Sequence, residues 1–177
     1  MLNTILRGLG FDVEPDPTPV DVRSFEAIAG VLDVMTLDAA RYLAVFAWLL
    51  QRAAHVDHRL SKADCDRLER LIIRSGGVPR DHAWIVMDMA TSQGLKARAT
   101  QDATIVRAFE QLASPVQKLA LIECLFGAAV LGGTSLDRDI RRIASEMAIP
   151  AADADAIHDR CHRELATPTR RRRETSG

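Results

Sequence analysis

The chain has 177 residues, 47% of them hydrophobic and only 5% aromatic, with a formal net charge of −1. That length predicts one domain with room for a real core, built mainly from Ala, Leu, Ile and Val, and the near-zero charge excludes an overall field that would gather nucleic acid or membrane. Three widely spaced cysteines, Cys65, Cys124 and Cys161, exclude a disulfide framework and fit a reducing compartment.

Residues 1–20 form an N-terminal extension. Leu2, Ile5, Leu6 and Leu9 recur at helical spacing and predict a short terminal helix. Such a helix docks on its own domain, or lies against a membrane or a partner, and the single Arg7 adds little attraction to anionic lipid. Pro15, Pro17 and Pro19 then stiffen a linker. No secretory signal is visible, and no run reaches the ~18 consecutive apolar residues of a membrane span. The two most apolar runs are broken by Gln51 and Arg52 and by Glu123, so both read as buried core helices. The expected location is the cytoplasm, with membrane association through the N-terminal helix as the variant of that reading.

Residues 21–166 read as helix throughout. Asp21 to Val34 is moderately periodic, and Thr36 can cap the next helix, which runs to about His55. Ser61 with Asp64 three residues on is a capping pattern for Lys62 to Arg74, which Gly76-Gly77 stops. Further helices are predicted from Pro79 to Ser92 and from Asp102 to Leu112. Ser114-Pro115-Val116-Gln117 combines an N-cap, a first-turn proline and a capping-box glutamine. That helix ends at Gly132-Gly133, and the last two are Leu136 to Ala148 and Pro150 to Leu165. No segment alternates as a strand does, so the fold class is all-α, with about seven core helices plus the N-terminal one. Residues 167–177 hold Arg170, Arg171, Arg172 and Arg173 among Thr, Glu, Ser and Gly. Such a run contacts nucleic acid or anionic lipid, or stays a solvated, disordered tail, and the second fits the neighbours better. No nucleic-acid partner is expected.

The helical region contains one unit twice. LAVFAWLLQRAAHVDHRLSKADCDRLERLI and LALIECLFGAAVLGGTSLDRDIRRIASEMAI superimpose at an offset of 75, since 132 − 57, 139 − 64 and 143 − 68 are equal. Leu50 then meets Leu125, Ala53 Ala128, Ala54 Ala129, Asp64 Asp139 and Arg67 Arg142. A repeat of this length implies two similar helical hairpins packed as a pseudo-symmetric pair, with their loops as the places to look for chemistry.

In the first copy Ala54, Asp57, His58, Leu60, Ser61, Asp64 and Leu68 stand in a pattern that resembles the doubled signature of TerB-like tellurite-resistance domains, Ala-x-x-Asp-Gly-x-Ile-Ser-x-x-Glu. The resemblance covers about Thr36 to Arg163. His58 stands where that family has Gly, Asp64 where it has Glu, and Gly132 where the second copy would have Asp. The resemblance implies a TerB-like bundle and a non-catalytic module linked to tellurite or chemical-stress resistance. It would serve as a cytoplasmic or membrane-proximal scaffold with a protein partner, and would hold a divalent cation at Asp57, His58, Asp64 and Asp139. A hard cation such as calcium takes six or more oxygens, which this set cannot supply alone. Each carboxylate also has a structural reading. Asp64 and Asp139 sit where first-turn acids meet a helix dipole, Asp137 and Asp139 would do so beneath Ser135 as N-cap, and Asp57 can close an Asx turn.

Two other function classes stand beside this one. A pure interaction adaptor would need an exposed apolar patch and no metal. A metal-dependent enzyme would need His55, Asp57, His58 and Asp64 to converge. No glycine-rich phosphate loop, Gly-x-Ser-x-Gly, HExxH or Cys-x-x-Cys supports catalysis. Finally, His158, Cys161 and His162 share one face of the last helix, with Asp155 a turn earlier. Histidines at i and i+4 can chelate zinc, or they can decorate the polar face of a terminal helix.

Overall fold

The computed structural model describes residues 30–54, 60–91 and 102–166. The N-terminal extension, most of the predicted Asp21–Val34 helix, His55, Asp57, His58 and the arginine tail lie outside the described residues. Within them, after the helical end of an earlier segment at residues 30–33, run seven complete α-helices: α1 (Leu37–Ala54), α2 (Lys62–Ser75), α3 (Ala83–Thr91), α4 (Asp102–Leu112), α5 (Pro115–Gly132), α6 (Asp137–Glu146) and α7 (Ala151–Leu165), with a 3-10 turn at Arg80–His82 ahead of α3. Among the described residues there is no strand.

Local chemistry sets most of the boundaries. Thr36 Oγ1 accepts from the Ala39 amide at the start of α1. Ser61 caps α2 by accepting from the Asp64 amide, and Ser114 and Gln117 close a reciprocal capping box on α5. Gly76 and Gly133 end α2 and α5 at φ 73° and 65°, the left-handed region that favours glycine. The start of α6 differs from expectation. Its N-cap is Leu136 rather than Ser135, no side chain caps its first amides, and Asp137 and Asp139 in the first turn meet the helix dipole only through their charge. Ala148 turns the chain from α6 into α7 with a positive φ of 58°.

Two long helices form the centre. α1 packs on α3, α4 and α5, while α5 packs on α1, α2, α6 and α7. Val45, Phe46, Ala47 and Leu50 of α1 and Leu121, Ile122, Cys124 and Phe126 of α5 are fully buried. α5 alone, among the described residues, is long and apolar enough to cross a membrane, and half of it is buried against its neighbours. Its apolar residues from Ala120 to Ala129 face those neighbours, as in a core helix, while Val116 and Leu119 near its start are exposed.

The repeat is visible in space only in part: α5 packs on α6, whereas α1 and α2 share few close contacts, so the first copy is not the packed hairpin the doubled unit implies. α2 and α6 begin at Lys62 and Asp137, which the offset of 75 pairs. Leu50 and Leu125, Ala53 and Ala128, and Leu68 and Ile143 are buried in both copies. Each copy also carries the same helical ion pair, Asp64–Arg67 at 3.8 Å and Asp139–Arg142 at 4.0 Å. A third helix follows in each case, with α3 lying on α1 and α2 as α7 lies on α5 and α6. The copies part where α2 leans on α5 and where α4 wedges between α1 and α6.

Burial pushes the Cys124 and Cys161 thiols up to about 12 from their ordinary 9.0 and raises Tyr42 as well. All three are held neutral in the fold, so the unfolded chain releases their protons first. Stability is therefore expected to be complete below pH 9 and to fall as pH rises through the folded-state values. Urea midpoints at about pH 8 and about pH 10.5 check this, and equal midpoints would contradict it.

Candidate functional site

The predicted cation residues divide. Asp57 and His58 lie outside the described residues. Asp64 is held locally: its Oδ2 accepts from Ser61 Oγ at 2.6 Å and its Oδ1 lies 3.8 Å from Arg67. Asp139 is exposed, 4.0 Å from the Arg142 guanidinium. Arg52, at the end of α1, also feels it. Burial pulls the Arg52 guanidinium below its ordinary value, and the Asp139 charge works against that. Both carboxylates thus face arginines, which compete with any cation. Among the described residues neither belongs to a cluster of three potential metal ligands.

The three-ligand cluster that does form is Asp137, His158 and His162. Asp137 comes from the first turn of α6, the histidines from adjacent turns of α7, and the packing of α6 on α7 brings them together. One ligand atom from each lies within 4.8 Å of the others. His158 Nε2 is 3.4 Å from Asp137 Oδ2, while its Nδ1 meets Asp159 Oδ1 at 3.1 Å. The His158 ring stands edge-on to Phe126 with centroids 5.2 Å apart, and the His162 ring follows at 4.4 Å. The other members of the predicted histidine face turn elsewhere. Cys161 is buried with its thiol on the Glu123 carbonyl, and Asp155 pairs with Arg141 at 2.9 Å. The sequence marked the two histidines by their i, i+4 spacing. It carried no signal linking Asp137 to them, because that pairing is tertiary.

A second feature lies on the first copy. An open groove of about 310 Å³ runs between α2 and α3, lined by Cys65, Asp66, Glu69, Trp84, Met87, Asp88 and Thr91. Trp84 is 39% exposed there, unusual for so large an apolar side chain. No lysine or arginine among the described residues pairs with Asp66, Glu69 or Asp88. Burial and the neighbouring Asp64 and Asp66 raise the Cys65 thiol above its ordinary value, although it stands in a first helical turn.

On the opposite flank α2 is basic. Arg67 donates to the Leu165 carbonyl at 2.9 Å, closing the end of α7. Arg74 pairs with Glu164 at 2.7 Å and with Glu123 at 3.6 Å, and Arg160 reaches Glu123 at 3.2 Å. Glu123, which interrupts the apolar run of α5, is thus the hub of an ion network tying α2, α5 and α7. No protein-family model, curated protein or solved structure matches the chain.

Proposed function

We propose that the chain is a non-catalytic, TerB-like helical module, a scaffold in tellurite or chemical-stress resistance. It works in the cytoplasm or close to a membrane by holding a protein partner in the groove between α2 and α3. The groove carries the reading. Three carboxylates, Asp66, Glu69 and Asp88, line it together with the apolar side chains of Trp84 and Met87. A partner segment that matches it sets arginine or lysine beside a leucine or aromatic side chain, the apolar group supplying affinity and the charges supplying register. The TerB-like part rests on the doubled unit with its paired Asp64–Arg67 and Asp139–Arg142. The enzyme alternative built on His55, Asp57, His58 and Asp64 needs a free Asp64, which Ser61 and Arg67 engage.

Short peptides that pair arginine with leucine or phenylalanine are the probe, followed by the emission of Trp84 against a Trp84→Phe control. They are expected to bind with micromolar affinity that weakens with salt, and the Asp66→Lys, Glu69→Lys double variant to lose about tenfold or more. Host cells producing only that variant are expected to lose tellurite tolerance. Equal peptide affinity in wild type and variant would remove the groove from the account, and full tolerance in cells lacking the chain would remove the resistance role.

A further inference from the structure

We propose that Asp137, His158 and His162 form a zinc site, completed by water, that staples α6 to α7. Four observations converge on it, independently of the scaffold reading.

The first is distance. Zinc holds nitrogen and oxygen ligands at about 2.0–2.2 Å, so two ligands at a tetrahedral angle stand roughly 3.4 Å apart. His158 Nε2 and Asp137 Oδ2 have that separation, 3.4 Å. One ligand atom from each of the three residues lies within 4.8 Å of the others, and His162 is exposed, so a rotamer change can bring its ring nitrogen closer.

The second is an unmet bonding need. His158 Nε2 is buried and has no hydrogen-bond partner. Asp137 is near enough for an ion pair but does not align as an acceptor. Buried polar atoms left in this state are uncommon, and a metal would satisfy this one.

The third is orientation. The Asp159 carboxylate on His158 Nδ1 favours the proton there and leaves the Nε2 lone pair facing Asp137. A carboxylate behind a histidine, fixing its tautomer and ring, is the usual support of a metal-bound imidazole. The edge-on contact with Phe126 restrains the same ring.

The fourth is the donor set. Two imidazoles and one carboxylate suit a borderline ion such as zinc, whereas calcium takes six to eight oxygens. The first copy supplies a built-in comparison: at the offset of 75 the three positions are Lys62, Ala83 and Met87, which make no such set. Among the described residues this is the one such cluster. It belongs to the second copy, whose helix α6 lacks a side-chain cap and gains a tie to α7 when metal binds.

Calorimetric titration of the chelator-treated, tag-free full chain with zinc chloride tests the site, with calcium chloride as comparator. Wild type is expected to take up zinc and to melt higher in its presence, while calcium gives neither effect. His162→Ala and Asp137→Asn, both at solvent-reachable side chains, are expected to bind zinc at least about tenfold more weakly with unchanged helical content. Asp139→Asn, in the same helix but outside the cluster, keeps wild-type affinity. Absence of zinc binding by wild type overturns the site, as does equal affinity in His162→Ala and Asp137→Asn. Loss of binding in Asp139→Asn alone would move the metal to the acidic residues instead.

Discussion

Replacing Phe46 by alanine is expected to cost about 3–5 kcal/mol, the range for removing a fully buried aromatic ring. Phe46 is completely buried in α1, with its ring 5.9 Å from Tyr42 and 6.2 Å from Phe109, centroid to centroid. Tyr42 and Phe109 stack at 5.3 Å, so the three rings form a closed cluster where α1, α4 and the loop after α2 meet. The Tyr42 hydroxyl donates to the Gly77 carbonyl, which fixes the open end of that cluster. Taking out the Phe46 ring leaves a void that neither stiff aromatic neighbour can fill. Domains are typically stable by only about 5–15 kcal/mol, so the variant stands near the edge of folding. Urea unfolding measures the loss. Phe46→Leu, which keeps most of the volume, is expected to lose far less, and a loss below about 1 kcal/mol in Phe46→Ala would show that the cluster is not closed.

Gly77→Ala is the second large effect, through crowding rather than a void. A methyl group there would stand 2.6 Å from the Ala120 Cβ and 3.3 Å from Phe46. Ala120 Cβ is fixed to the α5 backbone and cannot swing aside as a long side chain would. The loop must therefore back away from α5, stretching the bond from Tyr42 to the Gly77 carbonyl. Overpacking of this kind costs about 1–3 kcal/mol, and the added strain on a buried hydrogen bond places Gly77→Ala at the upper end. The demand is for space, since Gly77 carries no left-handed φ. Ala120→Gly reopens that space, so the double variant is expected to recover more than about 1 kcal/mol relative to the sum of the single changes. Gly30→Ala, with nothing within 4 Å of the new methyl, is the neutral control.

The helices were legible where the sequence carries its own stop and start chemistry. Ser61, Gly76, Ser114, Gln117 and Gly133 do in the structure what their types predict. α6 shows the limit: Ser135 looked like a cap, but the helix starts one residue later behind Leu136, with Asp137 and Asp139 in its first turn. The doubled unit was legible through α1 and α5 because buried Leu and Ala recur there at one offset. Its third helices were not, because α3 and α7 share almost no residue types. Packing alone relates them, α3 on α1 and α7 on α5. The site divides in the same way. Two histidines at i and i+4 are a local pattern, whereas Asp137 joins them only once α6 packs on α7. The acidic residues that the doubled signature singled out have local partners in Ser61, Arg67 and Arg142, which spacing along the chain does not reveal.

The two copies therefore carry different features, an acidic groove on the first and a cluster of three potential metal ligands on the second. Anomalous scattering at the zinc edge, from crystals of the full chain grown with one equivalent of zinc, tests that division most directly. A peak between α6 and α7 is expected, about 2.0–2.2 Å from Asp137 and from a ring nitrogen of each of His158 and His162. A peak beside Asp64 or Asp139, or none between α6 and α7, would contradict it.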